Sequence, residues 1–157
     1  IFIYQIVMNN IGGIIRCEIC PIENVATFSN SKTRVTITPK DGEELWTELP
    51  INRKNTICVA TPESSDAGTS YQHSCNTLLP TSLVNVSLLE ILRKCVKCGC
   101  LIRYTDANAQ TRILGTKDFP LLGTLEESPG SEAPDLAGYQ LQLSSSSLTP
   151  ALEYIEV

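Results

Sequence analysis

The sequence lacks the short motifs that mark most enzymes. Its 157 residues contain no glycine-rich phosphate-binding loop, no dinucleotide fingerprint and no serine nucleophile elbow. Histidine occurs once, at His73, and one histidine defines no metal site by itself. Cys75 would share its strand face, but an ordinary histidine, either hydrogen-bonded or facing solvent, is a better interpretation than a Cys–His nucleophile. We therefore predict a protein that is not an enzyme and has no cofactor.

The sequence also lacks an apolar run long enough to span a membrane. Ile1–Val7 (IFIYQIV) is nearly all apolar, but a spanning helix needs about 20 such residues. The segment has neither the basic start nor the cleavage site of a signal peptide. We expect no membrane partner. Two interpretations of this segment stay open. Met8, the single methionine, is the natural start and the first seven residues are upstream or processed sequence, or the segment is a terminal strand that pairs with a neighbouring chain.

Basic residues are absent after Lys117, where every charged residue is acidic. Between Ile91 and Lys117, by contrast, six residues are basic and only Asp106 is acidic. The net charge of −5 argues against specific nucleic-acid binding. The two segments indicate either head-to-tail pairing of copies or two solvated faces.

We assign an assembly surface to the apolar start of the chain and to charged residues of both segments. Its predicted residues are Ile1, Phe2, Ile3, Tyr4, Arg93, Lys94, Lys97, Arg103, Arg112, Glu126, Glu127, Glu132 and Asp135.

The seven cysteines include two pairs with CxxC spacing, Cys17–Cys20 and Cys95–Cys98. The odd number argues against a complete disulfide framework and favours a reducing compartment. Two such pairs can hold a structural zinc ion, but 74 residues separate them. Cys17 and Cys20 would also point to opposite faces of a strand. We predict free thiols that act as small apolar side chains, with zinc bound by Cys17, Cys20, Cys95 and Cys98 as the alternative.

The clearest structural pattern runs from Ser87 to Gly123. Ser87 and Glu90 form a capping box, apolar residues follow at helical spacing, and Gly99 provides a stop, which predicts a helix near 88–97. The runs CLIRYT and TRILGT, joined by 106–110, predict a β-hairpin.

Alternating apolar and polar residues elsewhere predict further strands, most clearly at 138–144. The polar stretches 61–69 and 126–137 are expected to be exposed loops. The fold class is mainly β (α+β), an antiparallel sandwich or partly open barrel with one packed helix. We predict a single domain over 1–157, with 1–10 as an exchanged or flexible N-terminal arm and 144–157 as a C-terminal tail.

The last third of the chain resembles a known group of proteins. The resemblance rests on LIRYTDAN at 101–108, RILGT at 112–116, FPL at 119–121, and Gly138-Tyr139 followed by Leu141 and Leu143. This pattern resembles small proteins of Bacteroidetes phages and prophages that look like virion or tail-region components. Their pattern has glycine after Asn108, where this chain has Ala109.

The resemblance implies a structural subunit of a bacteriophage particle, in the tail or at the head–tail junction. Such a subunit would be made in the bacterial host cytoplasm and would bind copies of itself and other virion proteins. Two alternatives remain: a filament subunit that inserts Ile1–Val7 into a neighbour's sheet, and a small zinc-binding interaction module.

Overall fold

The computed structural model describes residues 12–31, 33–40, 42, 45–51, 55–128 and 138–154. Within them lie eleven strands and one α-helix. In chain order they are β1 (Ile14–Pro21), β2 (Val25–Asn30), β3 (Arg34–Pro39), β4 (Thr47–Glu48), β5 (Ile57–Ser65), β6 (Gly68–Pro80), α1 (Val86–Cys98), β7 (Cys100–Asp106), β8 (Thr111–Leu114), β9 (Leu122–Ser128), β10 (Gly138–Ser147) and β11 (Leu152–Tyr154).

The strands form two open sheets, which confirms the predicted β-sandwich with one helix. The larger, sheet A, has the order β2-β3-β11-β8-β7-β1-β4, and sheet B has the order β5-β6-β10-β9. Neighbouring strands are antiparallel, except that β11 runs parallel to β3. The sheets are not closed into a barrel.

The main hydrophobic core lies between the two sheets. Sheet A contributes residues such as Ile19 and Ile102, sheet B contributes Leu79 and Leu141, and α1 adds Leu92. All five side chains are fully buried. The helix covers this core beside β9 and β1, so its apolar face is buried as the sequence period requires.

A second, smaller core lies on the other face of sheet A. It contains Leu101 of β7, Ile113 of β8 and Leu152 of β11, with Val35 and Ile37 of β3. Because successive residues of a strand point to opposite faces, β7 and β8 each supply both cores. Sheet A is therefore buried on two sides, which explains its nearly continuous apolar runs.

The helix begins two residues before the predicted start. Its N-cap is Asn85, whose side-chain oxygen accepts a hydrogen bond of 2.8 Å from the amide of Leu88. The capping box proposed for Ser87 is therefore wrong in position, because Asn85 already takes that role. The predicted stop is confirmed: Gly99 has φ 105°, and a Cβ there would lie 2.9 Å from Pro120.

The predicted hairpin of 100–116 is confirmed as β7 and β8. Its turn is held by Asp106, whose side chain accepts hydrogen bonds from the amides of Asn108 (2.9 Å) and Gln110 (3.0 Å). Ala109 has φ 64°, the only positive φ of a non-glycine residue in the described ranges. Glycine would fit this conformation without strain.

The polar stretch 61–69 is not the loop that its composition predicted. It forms the outer part of a long hairpin, in which β5 and β6 pair up to Ser65 and Gly68 around the turn residues Asp66 and Ala67. Its side chains are nearly all exposed. Both faces of this arm lie in solvent, so its sequence is polar throughout and predicted a loop. Pro62 does not prevent strand formation, because proline is tolerated on an edge strand.

The segments predicted as acidic loop and C-terminal tail contain further strands. Ser144–Ser147 completes β10, and Leu152–Tyr154 is inserted as β11 between β3 and β8. Glu126 and Glu127 are exposed residues of β9. The predicted arm over 1–10 lies outside the described residues, as does 155–157.

Strain at Ala109 gives a test of the β7–β8 turn. We expect Ala109→Gly to raise the free energy of unfolding by about 0.5–1 kcal/mol, because glycine adopts a positive φ without steric cost. Ala67→Gly is the matched control in the other hairpin, where φ is not positive, and should lower stability. Urea unfolding of the two variants beside the wild type measures both effects; equal destabilisation by both would refute the strain.

Candidate metal centre and assembly surfaces

Three cysteine side chains meet inside the main core. Cys17 of β1, Cys58 of β5 and Cys75 of β6 place their Sγ atoms within 4.8 Å of one another. The Sγ atoms of Cys58 and Cys75 are 3.3 Å apart. Strand register explains the meeting: Cys58 lies directly opposite Cys75 in sheet B, and Cys17 reaches them from sheet A. We call Cys17, Cys58 and Cys75 the thiol cluster.

The thiol cluster is almost sealed from solvent. Cys17 and Cys75 are fully buried, and Cys58 is 9 % exposed. The cross-strand neighbours are Tyr104 for Cys17 and Leu143 for Cys75, both of which belong to the main core. Sulfur atoms that converge in such a site are the ligands that soft metal ions prefer.

The three thiols influence one another's ionisation. Hydrogen bonds from Cys17 and Cys58 hold the pKa of Cys75 below its usual value, against the effect of burial. The pKa of Cys17 is raised, first by its hydrogen bond with Cys58 and then by its bond with Cys75 and by burial. At Cys58 the hydrogen bond with Cys17 lowers the pKa, but the bond with Cys75 and burial outweigh it and raise the pKa. Cys75 is therefore the member that loses its proton most readily.

The four cysteines of the predicted zinc site lie in four different places. Cys17 belongs to the thiol cluster, while Cys20 points into the second core, on the opposite face of β1. Cys95 lies on the buried face of α1, and Cys98 is exposed at its end. In the described part of the chain, the thiol cluster is the one group of three potential metal ligands at ligand spacing. Neither Cys58 nor Cys75 has a CxxC partner, so only the pairing of β5 with β6 could have revealed them.

A further pair of thiols lies beside the helix. Cys100 follows Gly99 and interacts with Cys95, and this hydrogen bond, followed by burial, raises the pKa of Cys100. Burial raises the pKa of the neighbouring Cys20 to about 12. Cys100 and Cys20 thus have the raised pKa values of buried thiols that act as small apolar side chains.

His73 joins the two sheets rather than serving Cys75. Its Nδ1 accepts a hydrogen bond of 2.8 Å from the amide of Gly115, and its Nε2 donates to the carbonyl of Thr149 at 2.7 Å. The neutral imidazole, with its proton on Nε2, therefore satisfies both hydrogen bonds. Burial lowers the pKa of His73, which favours this neutral form. The structure gives this histidine a structural position, as its ordinary hydrogen-bonding interpretation predicted.

Several of the predicted basic assembly residues have partners in their own chain. Arg103 donates to Glu18 from both Nε (3.0 Å) and Nη2, and the two side chains are only 15 % and 13 % exposed. The Arg103 guanidinium also lies 4.6 Å from the ring centre of Trp46. Lys94 pairs with Glu23.

The remaining charged assembly residues that the structure describes are exposed: Arg93, Lys97, Arg112, Glu126 and Glu127. Arg112 donates to the carbonyl of Ala151 at 3.4 Å. Arg93 and Lys97 line a shallow depression together with Glu127 of β9. Basic and acidic residues that are distant in sequence are thus neighbours in one surface. Glu132, Asp135 and the apolar residues Ile1, Phe2, Ile3 and Tyr4 lie outside the described residues.

The edge of sheet B that is formed by β5 is open. β5 pairs with β6 along its length, and no strand of the described ranges pairs with its other side. Ile57 and Val59 are 58 % and 42 % exposed on this strand, while Cys58 between them points into the core. Sequence reasoning predicted the strand but not its place at an edge, which depends on the order of strands in space.

The buried imidazole predicts a specific loss of stability in mild acid. Because burial lowers the pKa of His73 in the folded state, the unfolded state binds a proton first, near the ordinary histidine value of about 6.5. The contribution of neutral His73 to the free energy of unfolding is therefore complete above about pH 6.5 and declines as the pH falls towards 5. His73→Gln, which keeps one acceptor and one donor, should remove this part of the slope in urea unfolding between pH 7.5 and 5. An unchanged slope in that variant would contradict the assignment.

No helix in the described residues is both long and apolar enough to cross a membrane. No family model, curated protein or solved structure matches this chain.

Proposed function

We propose that this protein is a self-assembling structural subunit of a bacteriophage particle, in the tail or at the head–tail junction. The resemblance of the last third of the chain supports the phage assignment. The open edge of β5 is the observation that carries self-assembly. The proposed role is not catalytic, and its partners are copies of the chain and other virion proteins made in the same bacterial cytoplasm.

An unpaired strand edge favours pairing with another chain. Its free amide and carbonyl groups form hydrogen bonds with any extended segment that lies alongside. Proteins that remain monomeric usually protect such edges with charges, prolines or bulges. Here Pro62 and Glu63 lie only in the outer half of β5, while Ile57–Ala60 carries no charge. The inner half of β5 is therefore suited to strand pairing.

The charged surfaces contribute less to the proposal than the edge does. Lys94 and Arg103 are engaged with Glu23 and Glu18 of the same chain, so contacts with another copy would first have to replace these partners. Arg93 and Lys97 lie beside Glu127, which weakens the separation of charge expected from the sequence. The exposed apolar pair Ile57 and Val59 has no such competing contact to lose.

A filament subunit that uses strand exchange is the second candidate. Ile1–Val7 is an apolar segment of the length of an average strand. Inserted beside β5 of a neighbouring copy, it would cover Val59 and satisfy the open edge. This candidate shares the receiving edge with the first and differs in the segment that occupies it.

The first experiment measures the mass of the native protein by light scattering and native mass spectrometry under reducing conditions. We expect a closed oligomer or a polymer whose mass grows with concentration. Val59→Lys places a charge on the open edge and should weaken association at least about tenfold, or about 1.4 kcal/mol. Gln142→Lys is the matched control, because this exposed residue lies on β10, a central strand of the same sheet. A wild-type chain that stays monomeric at high concentration would refute self-assembly.

Deletion of residues 1–7 separates the two candidates. A strand-exchange filament would no longer form, whereas a ring or tube built on the folded domain would keep its mass. Electron microscopy of the deletion variant beside the full chain shows the outcome directly. Association that depends on neither the segment nor the β5 edge would contradict both candidates.

A further inference from the structure

The thiol cluster has more sulfur atoms in contact than core packing requires. A buried cysteine behaves as a small apolar side chain and needs no partner. Here, three separate strands from two sheets bring three thiols together, all within 4.8 Å. We propose that the Sγ atoms of Cys17, Cys58 and Cys75 bind one Cu⁺ ion in the interior of the sandwich. This site lies in the core, and one of its ligands, Cys58, belongs to the same strand as the proposed assembly edge but points to the inside of the sandwich.

The spacing of the sulfur atoms suits three-coordinate binding. With metal–sulfur bonds of about 2.3 Å, as in zinc thiolates, a metal at the centre of a triangle holds its sulfurs about 4.0 Å apart. The cluster lies close to this spacing, because no two of its sulfur atoms are more than 4.8 Å apart and the Cys58–Cys75 pair is closer, at 3.3 Å. Small side-chain rotations that separate this pair would complete the triangle. Cys58 lies on the open edge strand and, at 9 % exposure, is the most exposed member of the cluster.

Coordination number favours Cu⁺ over Zn²⁺. Thiolates bind both ions, but protein zinc sites are almost always four-coordinate, whereas the soft ion Cu⁺ accepts three thiolate ligands. Among the described residues, no histidine, cysteine or carboxylate lies close enough to the thiol cluster to be a fourth ligand. His73 lies two residues from Cys75, but Gly115 and Thr149 already occupy its two nitrogens. The cluster therefore offers three sulfurs and no further ligand of these types.

The test titrates the reduced full-length protein with Cu⁺ under anaerobic conditions, against a coloured Cu⁺ chelator of known affinity. We expect one tightly bound Cu⁺ per chain. X-ray absorption at the copper edge should show three sulfur neighbours at one distance. Zn²⁺ in a matched competition should bind more weakly. Absence of stoichiometric Cu⁺ binding, two-sulfur coordination, or tighter binding of Zn²⁺ would overturn the proposal.

Variants locate the ion. Cys58→Ser should weaken Cu⁺ binding at least about 100-fold, whereas Cys98→Ser, at the exposed end of α1, should leave it unchanged. Cys95→Ala tests the second thiol pair: binding lost there and retained in Cys58→Ser would place the ion elsewhere and refute this site. If Cys58→Ser does not fold, the absorption measurement on the wild type decides. Cu⁺ should also raise the Tm of the wild type, since an ion that binds only the folded state stabilises it.

Discussion

The pairing of β1 with β7 is the constraint on which both hydrophobic cores depend. In this register Ile19 lies opposite Ile102 and faces sheet B, while Cys20 lies opposite Leu101 and faces the second core. A shift of β1 by one residue along β7 would exchange the two faces of β1 relative to those of β7. It would also separate Glu18 from Arg103, whose ion pair is partly shielded from solvent. The same register therefore fixes the cores, the buried charges and the position of Cys17.

Local sequence patterns were sufficient to predict most elements of the fold. The helix, its glycine stop and the β7–β8 hairpin follow from spacing and turn chemistry that act over a few residues. The errors arose where the environment, rather than the local pattern, decides. Thr61 to Thr69 looked like a loop because an exposed hairpin arm has no buried face to produce alternation. Ser144–Ser147 was predicted as part of a C-terminal tail because four serines show no apolar alternation, yet they complete β10 and Ser147 is buried.

The thiol cluster was not predictable from spacing, since its members lie far apart in the chain and meet only through strand order. CxxC spacing drew attention to Cys20 and Cys98, which the fold directs into the second core and to the surface. Charge was misleading in a similar way. Arg103 looked like part of a basic surface, yet it covers Trp46 and Tyr154 and pairs with Glu18. The long aliphatic stem and planar guanidinium of arginine allow it to contact both aromatic rings and to pair with the carboxylate at the border of the second core.

The place of β11 in sheet A determines the order in which the molecule can be completed. β11 is the one described strand that connects the β2–β3 hairpin to the rest of that sheet, through β3 on one side and β8 on the other. Ten described strands precede it along the chain. A nascent chain can therefore pair β5 with β6, and β1 with β7 and β8, early, but its first hairpin remains without a neighbour in sheet A until Leu152–Tyr154 has been synthesised. Contacts of such large sequence separation form late and slowly, so the two ends of the described chain finish folding together.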